Sequence, residues 1–572
     1  MTTGGAQADA SGDPKTGERR LTILYTAEVH GAVEPCGCTS NPLGDISRFA
    51  ALVGAAKKEG APVLLVDAGG LLYAEGGGSA RERPADDLRA AFLASQMEKL
   101  GLVGAGLAET DLSSGPGLVH PKRLASNFAP SAIVVAPLIR TVGVGPRAVK
   151  VGVLGIADPA LAQPLGAKSE EIAAAVRRDA DRLRQQGAEL VVLLAPIDKP
   201  LARRVARSAA VDLVILGRQV GRGLFPAEAV ARSGDQPDDK TGASVFLVAP
   251  ADELQRIGRI DIVLRTGARP GLQDAGGPEA VRLRQEDVGR ALKQLDADLA
   301  RWSAAGPSSG QANGQANGQQ ATGNDPAFVA AKRRERDALI AERATLDKPR
   351  IAPASGSYFI NRLIPVSRAL PRDPTVVAAM KQLDGRIGAL NSKNAQPPPP
   401  AEPGRATFAG VVTCGGCHAR AVEVWKKTVH AAAWKTLVDA GKQADYKCVG
   451  CHLTGYGQVG GSALGFTKGL QAVQCENCHG PASLHVAAKG LEEPSALRRA
   501  VPETTCLGCH NEQHSDTFEY QAYLRDILGP GHGAEARRKL GDGPTAHALR
   551  ATAQAKAKVT AKLTADAAMN KP

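Results

Sequence analysis

The sequence predicts a multidomain chain: an α/β domain over residues 21–265, a central helical hairpin over 278–348 and a mainly helical or irregular C-terminal domain over 408–535. Three observations predict this order. Apolar strand-like runs alternate with amphipathic stretches in the first half. A heptad-spaced apolar seam follows them. The pattern Cys-x-x-Cys-His then occurs four times, beginning at residues 414, 448, 475 and 506. A length of 572 residues allows roughly three to five domains.

The strands expected in the first half start at Leu21, Pro62, Ala132, Val149, Leu190, Val211 and Ser244. Their runs are continuously apolar rather than alternating, the mark of strands covered on both faces by helices. Residues 1–20 are polar and are expected to be a disordered N-terminus.

Val281, Val288, Leu292, Leu295, Leu299 and Trp302 then repeat at heptad spacing, which predicts a helix with one apolar seam. A second, charged helix is expected from Pro326, with Asp325 as its N-cap, because proline suits the first helical position. The link between them, 306–325, is rich in Gly, Gln, Asn and Ser, a composition that cannot build a core. The product is an antiparallel hairpin, serving either partner binding or packing on the α/β domain. Residues 349–403 connect onward through a strand-like piece at Tyr358–Val366, a helix near Val376–Leu390 and a proline-rich linker. The chain closes with an Ala/Lys-rich helical tail over 536–572.

The repeated motif uses eight of the ten cysteines: Cys414, Cys417, Cys448, Cys451, Cys475, Cys478, Cys506 and Cys509. Cys-x-x-Cys-His is the attachment code of a c-type haem. Two thiols add across the vinyl groups, and the adjacent histidine (His418, His452, His479 or His510) becomes the proximal iron ligand. Zinc is the competing reading of Cys-x-x-Cys, but zinc sites do not require a histidine after every pair. Four c-type haems are therefore expected, packed closely enough to exchange electrons. His430, His485, His532 and His514 are candidate distal ligands, since neutral imidazole suits iron, whereas His547 in the tail is expected to face solvent.

The formal net charge of +12 comes without a Lys/Arg block, and haem propionates would offset much of it, so nucleic-acid binding is not expected. No apolar run is long enough to span a membrane, and Met1–Arg20 lacks the apolar core of a signal peptide. Covalent haem attachment is done outside the cytoplasmic membrane. A periplasmic or other extracytoplasmic location is therefore expected, with the export signal, or a membrane tether, in a segment that this sequence lacks.

The α/β half resembles the metallophosphatase domain of the 5′-nucleotidase family, on TAEVHG (Glu28 and His30) and on the stretches Val33–Cys38 and Pro42–Asp45. The resemblance implies a metallophosphatase-like sandwich whose relatives hold two cations. It does not carry over the ligands. Glu28 stands where the family has aspartate. Gly69-Gly70 replaces its Gly-Asp, and Gly106, Leu107, Ala108 and Glu109 replace its Gly-Asn-His-Glu. The stretches ending at Asp198 and running over Leu216–Gly221 lack its later histidines, and between Leu21 and Arg265 the only histidines are His30 and His120. Glu28 and His30, with Asp67 or Glu109, are too few for a dinuclear site of the kind metal-assisted hydrolysis uses. The expectation is a pseudoenzyme domain that binds or docks. Cys36 and Cys38 remain open between a strained disulfide, a metal ligand pair, a redox pair and small loop residues.

The C-terminal part is similar to the tetrahaem cytochrome c-554 type family over about 408–535, on the four motifs with His430 and His485. The resemblance implies a multihaem cytochrome c domain with stacked haem pairs, redox partners that include other cytochromes and, as in the type member, one five-coordinate iron. Two functions follow as expectations: an electron carrier, or a redox enzyme whose open iron acts on a small nitrogen or sulfur species. Metal-dependent phosphoester hydrolysis is a third, opposed by the missing ligands.

Overall fold

The computed structural model describes residues 17–35, 37–115, 117, 122–218, 227–231, 244–265, 271–276, 285, 288–289, 292–293, 295–296, 299–300, 326–345, 355–491, 496–511 and 514–569. Cys36, His120, Val281, Trp302, Asp325 and the 306–325 link lie outside them.

The first sheet contains β1 (Glu18–Thr26), β2 (Val63–Asp67), β3 (Leu102–Ala105), β12 (Arg256–Arg265), β13 (Leu272–Asp274) and β14 (Ser357–Pro365), in the order β13-β14-β12-β1-β2-β3. The second contains β6 (Leu138–Val142), β7 (Val149–Gly155), β8 (Leu190–Ala195), β9 (Leu213–Leu216), β10 (Glu228–Ala231) and β11 (Ser244–Val248), in the order β10-β11-β9-β8-β7-β6. Two short strands, β4 (Arg123–Leu124) and β5 (Val134–Val135), pair separately. The inner faces share one core in which Ile23, Tyr25, Leu64 and Val66 meet Val151, Val192, Leu194 and Phe246. Helices α1 (Ile46–Lys58) and α2 (Arg83–Lys99), with helix Pro374–Lys393, cover the outside of the first sheet. Helices Ile172–Gln185 and Lys199–Ser208 cover the second. The domain is thus an α/β sandwich of four layers, its β1-β2-β3 and β7-β8-β9-β11 runs parallel.

The boundaries differ from the sequence reading at both ends. The first strand begins at Glu18 inside the segment expected to be disordered, because Glu18 pairs with Arg265 of β12 (2.9 Å) and Arg19 with Glu189 just before β8 (2.5 Å). At the other end, β12 has no counterpart among the expected strands, and the strand of the connecting segment does not merely connect. It lies antiparallel on β12 from Arg256↔Pro365 to Val263↔Tyr358 and completes the first sheet. An uncovered β12 would be an open, apolar edge.

Helical residues lie along the heptad seam, with Val288, Leu292, Leu295 and Leu299 buried. The second helix runs Pro326–Thr345 and is joined to the first by Arg336 and Asp296 at 2.5 Å. The C-terminal part consists of short helices and turns. Its tail is helical over Ala546–Met569, and no described helix is long and apolar enough to cross a membrane.

Candidate functional site: the haem-attachment segment and the closed strand ends

Each Cys-x-x-Cys-His motif involves a short helix. Cys448–His452 lies wholly inside helix Tyr446–His452, and Cys475–His479 is itself a helix, while helices Val411–Gly415 and Glu503–Leu507 open the first and last motifs. One turn of helix brings the two thiols and the histidine of a motif to one side. Three proximal rings are oriented through Nδ1: His452 to the carbonyl of Ala433 (2.6 Å), His479 to that of Arg498 (2.7 Å) and His510 to Ser515 Oγ (3.1 Å). A carbonyl only accepts, so the proton of His452 and of His479 sits on Nδ1 and Nε2 is left bare for a metal.

The rings of His418 and His485 lie 6.4 Å apart, centroid to centroid, and those of His430 and His510 lie 6.1 Å apart. Two imidazoles held about 2 Å from one metal ion on opposite sides place their centroids about 6 Å apart. Burial, then the neighbouring His510, pushes His430 down to about 4, so it is neutral at physiological pH. His532 is likewise lowered, first by burial, and His479 lies near enough to add to the shift. The donor set therefore fits haem iron. His514 makes no ring contact with a proximal histidine among the described residues, and its Nδ1 is buried without a hydrogen bond. His547 is exposed, as expected.

The thiols of different motifs converge. Cys414 and Cys475 share a hydrogen bond, as do Cys509 and Cys451, while Cys478 lies within electrostatic reach of Cys506. The first and third motifs are further tied by Glu476, whose carboxylate accepts from the backbone N–H groups of Ala409 (2.8 Å), Gly410 (2.8 Å) and Ala482 (2.9 Å). Gln474 accepts from Val411 N at 2.6 Å. Sequence reading missed both residues, as well as Phe518 and Tyr523, which pack on the His510 ring. Trp425 donates to the Val473 carbonyl (2.8 Å), and Trp434 packs near Leu437 and Val449.

In the α/β domain, the loops after β1, β2, β3, β8 and β9 meet at the strands' C-terminal ends. Glu28 and His30 share a 2.7 Å hydrogen bond, and both adopt positive φ, 49° and 55°. Burial pushes the Glu28 carboxyl up against the opposing effect of His30. For His30, burial pulls down, but the bond and charge of Glu28 outweigh it and the net shift is upward. Glu75, unnoticed in the sequence, brings a third donor, all within 4.8 Å of one another. Asp67 and Glu109 do not join them. Asp67 is fully buried and accepts from Thr26 Oγ1 (2.7 Å) and Gly69 N (2.9 Å), whereas Glu109 is exposed.

The centre of these loops is filled by protein. Asp111 is fully buried and accepts, at 3.1 Å each, from Gly70 N, Leu72 N, Ala108 N and Arg123 Nη2. A Cβ on Gly217 would lie 2.6 Å from the Ala68 carbonyl oxygen and 2.8 Å from Pro196 Cα, so the β9 end has no room for an imidazole. Asp198 caps helix Lys199–Ser208 through Leu201 N. Cys38 is half-buried, and its carbonyl accepts from Arg550 (2.6 Å). Its relation to Cys36 lies outside the described residues.

Four Cys-x-x-Cys-His motifs, two of whose histidines face a second imidazole, make the C-terminal part similar to c-type cytochromes. Residues 413–480 match the family model "Cytochrome c554 and c-prime". Cytochrome c-554 of Nitrosomonas europaea is 38% identical over 92 residues, 13% of this chain and 39% of that protein, so the chain spans well under half of this relative. The α/β part is similar to a 5′-nucleotidase precursor from Thermus thermophilus (17% identity, TM-score 0.35, 43% of this chain and 51% of that one). It is also similar to the NAD nucleotidase of Haemophilus influenzae (14%, TM-score 0.35, 44% and 48%). A calcineurin-like phosphoesterase from Bacillus subtilis is 18% identical, with a TM-score of 0.33 over 44% of this chain and 86% of that one.

Proposed function

We propose that the protein is an extracytoplasmic electron carrier with four covalent haems, passing electrons between redox partner proteins, other cytochromes among them. The observation that carries this reading is the 6.4 Å and 6.1 Å ring separations, which suit closed, six-coordinate iron. When bound, haem supplies a one-electron couple; the chain's own residues hold it and choose its ligands. His485 would pair with His418, His430 with His510 and His532 with His479. The approaches of Cys414 to Cys475, Cys478 to Cys506 and Cys509 to Cys451 would hold the haems of different motifs near one another, which supports a relay.

In this reading the α/β domain is a pseudoenzyme that binds or docks rather than hydrolyses. An internal cation, Arg123, sits with Asp111 where the loops converge, and three donors at Glu28, His30 and Glu75 serve one cation at most, whereas two-metal hydrolysis needs two.

A second reading rests on His452, which faces no other imidazole among the described residues. Its iron would be open to a small nitrogen or sulfur species. Electron paramagnetic resonance of the haem-loaded ferric protein, with and without nitric oxide, separates the two. Low-spin signals alone, untouched by the ligand, support a pure carrier. A high-spin signal that nitric oxide removes moves the second haem to catalysis. Haem content well below four per chain would sink both readings.

A further inference from the structure

We propose that the α/β domain is the seat of the second haem, and that Arg89 is a positioning residue that sets this haem's electrostatic environment. The inference rests on the reading that Cys448 and Cys451 carry a haem, and it gives the α/β domain a task within the same chain.

The second motif differs from the first in what holds it. The first is fixed by Gln474 and Glu476 of the third, inside the haem segment itself. Helix Tyr446–His452, which carries the whole second motif, is fixed from the α/β domain. Its N-cap, Asp445, accepts from Lys447 N with one oxygen (3.1 Å) and from Arg89 Nη2 of α2 with the other (2.6 Å). Arg89 also donates to Asp86 one turn earlier (2.8 Å), and Asp86 in turn takes Lys447 Nζ at 2.7 Å. Arg89, Asp86 and Asp445 are buried, so four alternating charges run in a chain between α2 and the start of the motif helix, and the Lys447 backbone N–H closes it on Asp445.

Further contacts fix the same helix. Asn391 Nδ2 donates to the Ala444 carbonyl (2.9 Å), Tyr446 OH donates to the Asn391 carbonyl (3.3 Å), and Arg81 lies over the Tyr446 ring (5.7 Å). Just upstream, Lys442 reaches Glu34 (2.6 Å) and Asp384 (2.8 Å). Buried pairs of this kind contribute register more than stability. Here the register they set is that of the helix bearing Cys448, Cys451 and His452.

The four charges sum to zero while intact. Removing Arg89 leaves one net negative charge about one helical turn from the thioether cysteines, which favours the ferric over the ferrous haem. Removing the charge of Asp445 does the reverse. Opposite shifts from the two partners of one ion pair are something a loosened fold would not produce.

The test uses the full, haem-loaded chain and a potentiometric titration resolved into its components, the second haem being identified by the component missing from Cys448→Ala/Cys451→Ala. Arg89→Met is expected to move that component several-fold toward the oxidised form at its wild-type midpoint. Asp445→Asn, which keeps the cap, is expected to move it several-fold the other way. Arg89→Lys should stay near wild type, and the remaining components should not move. Should Arg89→Met fail to fold, Asp445→Asn and Arg89→Lys still decide. An unmoved component, or shifts of one sign in both variants, overturns the inference. Wild-type protein without a haem at Cys448 and Cys451, read from haem content before any titration, overturns the haem reading itself.

Discussion

Glu476 occupies a variable position of the third motif, yet its carboxylate carries an unusual share of the haem segment's geometry. It is 3% exposed, and its two oxygens take three backbone N–H groups, those of Ala409 and Gly410 before the first motif and of Ala482 after the third. Glu476→Gln changes almost no volume, but it converts one oxygen into an NH2 group. Whichever way the amide turns, a buried backbone donor then faces another donor. Losing one charge-assisted bond costs about 1.5–3 kcal/mol, and the orphaned donor adds a further penalty of about 1–3 kcal/mol. We expect a total of about 3–4 kcal/mol, one of the larger effects available to an isosteric change. Urea unfolding of the haem-loaded protein, followed by haem absorbance so that the α/β domain's own transition does not enter, measures it. A Glu476→Gln midpoint equivalent to within about 0.5 kcal/mol of wild type would refute the reasoning, because it would mean that the lost bond is replaced by water at no cost.

Other outcomes follow from the same structure. Burial pushes Asp67 from 3.8 to about 7, against the lowering effect of Thr26. The folded state therefore holds a proton that the unfolded chain has released between those values. Its contribution is present below about pH 4 and is lost as the pH rises through 7, so Asp67→Asn should flatten the pH dependence of α/β-domain stability across that window. Arg123→Met leaves Asp111 buried without its cation and should cost about 3–5 kcal/mol, measurable by thermal unfolding followed by circular dichroism. A variant within about 1 kcal/mol of wild type would contradict the buried pair. His485→Ala should convert one low-spin haem signal to high-spin without reducing haem content, because His485 is no part of an attachment motif; unchanged spectra would remove it as a ligand. Phosphate release from nucleotides, assayed with added manganese or zinc, should stay at the buffer rate.

Much of the molecule was legible in the sequence because the signals are local. Continuous apolar runs marked β1, β2, β7, β8, β9 and β11, the heptad marked its buried seam, and the four motifs marked which cysteine pairs and adjacent histidines lie together in the chain. A motif lies within one turn of chain, so spacing alone defines it. The order of strands in the first sheet was harder to trace. The role of β14 depends on pairing with β12, and nothing local in Ser357–Pro365 announces its partner. Nothing in the local sequence marks Asp111 and Arg123 as partners, which the fold buries together. Tertiary structure alone decided which histidine rings face one another, that Glu476 binds the first motif to the third, and that Arg89 of one domain reaches Asp445 of another. These are contacts across tens or hundreds of residues. A side chain's identity states what it can bind, but only the folded chain brings its partner within hydrogen-bond distance.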